Sequence, residues 1–101
     1  MTATIVIFRR FPDGDVIALF PCLPAECLDP WPCQSYMHVG QHGAADPLIV
    51  HDTRPAQPPE YASLKAELEQ HGYRLIVRRR FPCDAYAHRR ASLNLSGVQP
   101  G

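Results

Sequence analysis

No apolar run in this sequence approaches the roughly 18 residues that a membrane-crossing helix requires, which excludes a helical membrane protein. The opening residues, MTATIVIFRRF, have neither the basic stretch nor the small-residue cleavage site of an export signal, and the expectation is a cytoplasmic protein with no membrane partner. The four cysteines, Cys22, Cys27, Cys33 and Cys83, contain no C-x2-C pair, so the standard zinc spacing is missing. In a reducing compartment they read as thiols or ligands rather than disulfides. Strand alternation puts Cys33 on the opposite face from His38, and Ser35 has no base beside it, so neither reads as an activated nucleophile.

What is present is the composition of a small folded domain. Apolar residues make up 46% and charged residues 20% of 101 positions, enough for one modest core. Eleven prolines, most of them between residues 21 and 59, predict stiff and irregular connections. Formal charge sums to zero, yet the halves differ: residues 1–70 are acidic overall, whereas residues 71–101 hold six arginines against Asp84 alone. That split implies either an acidic partner for the C-terminal third or pairing between the two parts of the chain.

The runs TIVIFRRF and DVIALF flank the turn signal PDG, so residues 3–20 read as an antiparallel hairpin, apolar on both faces and hence covered on both sides. A proline-punctuated loop over 21–33 should lie across the sheet with Leu23, Leu28 or Trp31 inward. A third strand is expected at 34–39, and PLIVH (47–51) is a weaker strand candidate. PPEYASLKAELEQHG has proline in its first turn, Glu60 near the positive end of the dipole and Gly72 as a left-handed stop, the marks of a helix with Tyr61, Leu64 and Leu68 as its apolar stripe. In YRLIVRRRF, Tyr73, Leu75 and Val77 alternate with Arg74, Ile76, Arg78 and Arg80, which predicts a strand with one core face and one basic face. The fold class is therefore α+β, a mostly antiparallel sheet with one helix packed on a face, in a single domain over 1–90 followed by a flexible tail over 91–101. One helix cannot cover both faces of the hairpin, so either the proline loop or a second copy of the chain is expected on the other, and a homodimer follows from the latter.

Two stretches carry the chemistry. In SYMHVGQHGAAD, strand alternation sends Cys33, Ser35, Met37 and Val39 to the core and Gln34, Tyr36 and His38 to an outer face. Gly40 and Gly43 then allow a tight turn that returns Gln41 and His42 beside them, with Asp46 close behind. Tyr36, His38, His42 and Asp46 are the candidate catalytic set, since an imidazole oriented by a carboxylate can act as general base and a tyrosine can donate to a developing oxyanion. The plainer reading is a strand end and a turn. Cys22-x4-Cys27 with His38-x3-His42 would supply four zinc ligands and is the alternative for a metal; otherwise no cofactor is expected. In the second stretch, Arg74, Arg78 and Arg80, with Arg89 and Arg90 downstream, form a candidate polyanion-binding surface for nucleic acid or an acidic protein. Against that stands the possibility that they only guard a sheet edge or pair with Glu67 and Glu69.

Together, VIFRRFPDGDVIALFP, CQSYMHVGQHGAAD, PPEYASLKAELEQHGY and IVRRRF resemble a family of small bacterial proteins, often carried in mobile or accessory regions, built around ALFP and SYxHVGQHGxAD. The resemblance spans roughly residues 4 to 90. It implies an accessory-genome protein and transfers no functional residue. Its pattern does not centre on Cys22 and Cys27, and a lysine usually stands where Arg9 or Arg10 stands here. The reading that best accommodates these features is a small non-enzymatic binding module using its basic strand, with a histidine-based hydrolase or transferase, or a zinc protein, centred on residues 36–46 as the alternative.

Overall fold

The structure is a computed structural model that describes residues 3–38 and 41–97. Strand β1 (Thr4–Arg10) pairs antiparallel with β2 (Val16–Pro24) through Ile7 opposite Leu19 and Phe8 opposite Ala18. Gly14, at φ +101°, supplies the left-handed residue that closes the three-residue loop, and Phe11 N–H donates to Asp15 O across its mouth. The sheet continues with β3 (Cys33–Met37) on β2 and β4 (Gln41–Ala45) at one edge. On the far side of β1, the short β5 (Arg54–Pro55) pairs antiparallel near its end and β6 (Leu75–Arg78) pairs parallel with its first residues. The sheet is thus mostly antiparallel, with β1 at its centre, and the fold is α+β.

Helix α1 (Pro58–Gln70) begins on a capping box between Gln57 and Glu60 and ends where Gly72 turns left-handed at φ +98°. Leu64 and Leu68 are fully buried against Val6, Phe8, Ala18, Phe20 and Tyr36, while Tyr61 stacks on Phe8 at 4.3 Å. Tyr73, Leu75 and Val77 pack on the same cluster, so β6 alternates as its sequence requires. Its strand stops at Arg78, however, and Arg80 lies beyond it because Phe81 turns into the opposite core.

That opposite core, built on Ile7, Ile17, Leu19, Cys33 and Ala45, is covered by the chain itself. PLIVH is a 3₁₀ turn (Pro47–His51) and not a strand, since Asp46 caps its first N–H groups and its Ile49 and Val50 drop onto the sheet. A second helix, α2 (Ala85–Gly97), packs on β2, so the expected boundary at residue 90 falls inside a helix; residues 98–101 lie outside the described residues. Both α2 and the 3₁₀ turn lie on the face where a second copy is expected if the chain has a single helix.

The proline loop follows from donor shortage. The expected loop over 21–33 is strand up to Pro24, where β2 meets Cys33 after a register shift; prolines 21, 24, 30 and 32 have no N–H, so carbonyls here take side-chain donors. Gln34 Nε2 donates to Pro24 O at 3.1 Å, and Arg89 donates to both Pro30 O and Pro21 O at 2.7 Å. Leu23 packs inward, whereas Leu28 is 93% exposed and Trp31 lies half out, its ring 6.3 Å from that of Tyr86.

Candidate functional site

Residues 35–46 are two strands joined through residues 39–40, which lie outside the described residues together with the expected inward Val39 and turn residue Gly40. Pairing sets Tyr36 opposite His42 and Ser35 opposite Gly43, so Gly43 is a strand residue and His42 arrives by cross-strand register. Tyr36 was expected on an outer face. It is instead fully buried, because α1 covers that face, and the His42 ring meets it edge-on at 4.6 Å.

Three further side chains come from α1. Tyr36 O–H donates to Glu67 Oε2, and the other carboxylate oxygen, Oε1, lies 2.9 Å from His38 Nδ1. His38 Nε2 in turn lies 3.4 Å from Ser63 Oγ, and the His71 ring, at the C-cap, is 6.0 Å from Tyr36. Tyr36, His38 and His42 are therefore brought together as the spacing suggested. Asp46 is not: its carboxylate accepts from Leu48 N–H at 2.9 Å and from Trp31 Nε1–H at 3.0 Å, at the start of the 3₁₀ turn. The missed members, Ser63 and Glu67, stand one helical turn apart beside the Leu64 and Leu68 stripe. That i, i+4 relation was visible in the sequence, but the strand that it would face was not.

The zinc alternative does not assemble. Among the described residues no group of three or more His, Cys, Asp or Glu side chains is placed to hold a metal ion, and Cys22 lies near Asp84 and Arg89 on the α2 side. Burial pushes the Cys33 thiol up to about 11 and holds it protonated in the core, with Arg89 opposing that shift. All four cysteines are free thiols.

Across the molecule, the arginines separate by partner. Arg9 is buried and donates to Thr53 Oγ1 at 3.0 Å and Val50 O at 2.8 Å, and its burial lowers its pKa. Arg89, expected on the polyanion surface, is only 2% exposed and serves the proline loop. Arg54 and Arg10 hold Glu60, at 2.6 Å and 3.5 Å. Arg54 first, then the Gln57 N–H, hold the Glu60 carboxyl down at about 2. Arg74, Arg78, Arg79, Arg80 and Arg90 are exposed, and none makes an ion pair among the described residues. Arg74 and Arg78 share with Ile76 the face away from α1, and Arg79 and Arg80 rim a cavity of about 400 Å³ floored by Leu48, Val50 and Phe81.

No family model, curated protein or solved structure matches this chain.

Proposed function

We propose that this protein is a small binding module whose exposed arginines, Arg74, Arg78, Arg79, Arg80 and Arg90, engage a polyanion, foremost a nucleic-acid backbone. The observation that carries the reading is the fate of the acids on α1. Glu60 is taken by Arg54 and Arg10, Glu67 by Tyr36 and His38, and Glu69 by Lys65 at 2.8 Å. Pairing with the acids of α1, a rival explanation for the arginines, therefore loses those partners. Unpaired guanidinium groups on a sheet edge and the loop after it suit phosphates, which take charge-assisted and bidentate contacts. Arg90 adds a cation 5.7 Å from the exposed Tyr86 ring, a surface on which a base could stack.

The test is fluorescence anisotropy with a single-stranded oligonucleotide at several salt concentrations. Affinity should fall with salt, with a log–log slope of about 0.7 per phosphate neutralised. Arg78→Glu with Arg80→Glu should weaken binding about 10-fold or more at low salt and flatten the slope. Neither side chain supports the fold, so an unchanged slope in the double variant would overturn the reading. Binding to polyglutamate at equal ionic strength in preference to the oligonucleotide would redirect it to an acidic protein surface.

A further inference from the structure

Ser63 and Glu67 project from the same face of α1, one turn apart, and His38 lies across both from the end of β3. Its Nδ1 is 2.9 Å from Glu67 Oε1 and its Nε2 is 3.4 Å from Ser63 Oγ. An ionised carboxylate can only accept, so beside it the neutral form of the imidazole would carry its proton on Nδ1 and turn the Nε2 lone pair toward the serine hydroxyl. The second oxygen of Glu67 receives the hydroxyl of the fully buried Tyr36, which anchors the carboxylate to the core. Nucleophile, base and orienting acid stand in line, the relation that activates serine on unrelated folds.

We propose that Ser63 is a nucleophile activated by His38 and that this site accepts an acyl group from an activated ester. Ser63 Oγ attacks the carbonyl carbon while its proton passes to His38 Nε2. Collapse of the tetrahedral adduct breaks the bond to the leaving phenol or thiol, which departs with that proton and leaves the acyl group esterified to Ser63. Water then attacks the ester carbonyl, giving a proton to His38 and releasing the acid, and Ser63 Oγ recovers its proton from the imidazolium. Glu67 touches no reacting atom and is a positioning residue.

Exposure sets the substrate class. Ser63 is open to solvent and the His38 side chain is 47% exposed, so a carbonyl reaches the hydroxyl without a cleft. An open site gives little help to a poor leaving group, since preorganised donors in a dry pocket supply much of the rate in acyl transfer. The substrates are aryl esters or thioesters, whose leaving groups need no such help, and not amides. The separation of 3.4 Å exceeds an ideal hydrogen bond and closes by a small rotation of the serine side chain, as is common before substrate binds.

The experiment treats the full chain with p-nitrophenyl acetate and follows acetylation of Ser63 by peptide mass spectrometry, because the exposed thiols of Cys27 and Cys83 also release the chromophore. Ser63 should acquire acetyl faster than any other hydroxyl in the chain. His38→Ala and His38→Gln should slow that step about 100-fold, the contribution expected of a general base. Both substitutions lie at an exposed position, and circular dichroism checks that the fold is kept. Nitrogen-15 NMR of His38 should report the Nδ1–H tautomer in the native protein and its loss in Glu67→Ala, a signature that a purely structural carboxylate would not move. Absence of acetyl on Ser63, or an unchanged rate without His38, overturns the proposal.

Discussion

Arg89 shows how far a side chain's role can depart from its chemistry. It is buried and makes no ion pair among the described residues, and its partners are two proline carbonyls and the face of Tyr86 at 5.6 Å. The guanidinium fork suits this task because one group reaches two acceptors that point in different directions. Arg9 does the same for the segment around Val50 and Thr53. Replacing Arg89 by Met keeps most of the volume and leaves two buried carbonyls without donors, so urea denaturation should show a loss of about 2–4 kcal/mol. Arg90→Met, one position further and exposed, should stay within about 0.5 kcal/mol of the parent. A sequence reading that places both in one anion-binding row treats them alike, since position on a strand or helix face is not visible from an arginine's neighbours alone.

At the scale of elements, Glu60 ties three of them together. It caps α1 through the Gln57 N–H at 2.7 Å and holds Arg54 of β5 and Arg10 of β1. Its folded-state pKa, near 2 against an ordinary 4.5, means that the native state favours the ionised form. A depressed carboxylate contributes stability that is fully present above its unfolded value and is lost as pH falls through the folded one. The thermal midpoint of the native protein should therefore exceed that of Glu60→Gln by a constant margin above about pH 5. That margin should shrink between about pH 4.5 and pH 2, and an undiminished one at pH 2 would show that Glu60 does not act as an ion. The hairpin and α1 were legible because their signals are local: a turn sequence between β-branched runs, and prolines, an apolar stripe and a glycine stop in order. Helix α2 was not. Among its described side chains the buried ones are Ala85 and Arg89, so the apolar period that announces a helix is weak at its start, and the polar segment resembles a tail.

For the whole molecule, the question raised by a hairpin apolar on both faces is what covers the second one. The chain does so itself, by turning Phe81 inward after β6, laying α2 across β2 and folding the 3₁₀ turn onto Ile17 and Ile7. Light scattering of the purified protein at micromolar concentration should accordingly give the mass of one chain; a stable dimer would mean that another surface is used. The same closure explains the charge distribution. Glu60, Glu67 and Glu69 are engaged on α1 and Asp46 caps the 3₁₀ turn, while the late arginines face solvent at and beyond the β6 edge. An edge strand flanked by arginine also resists pairing with a neighbouring sheet, a role compatible with binding a polyanion.

The sequence by itself determined the fold class, the hairpin, α1 and its stripe, the alternation of β6, and the meeting of Tyr36, His38 and His42, because each depends on period or on neighbours a few residues away. Only the tertiary structure decided that both faces of β3 are covered, that Glu67 and Ser63 complete the histidine cluster while Asp46 leaves it, and which arginines are buried. Those outcomes turn on contacts between residues some thirty to seventy positions apart, as in Tyr36 with Glu67 and Arg89 with Pro21. No local pattern encodes them, since burial is a property of what the rest of the chain packs against.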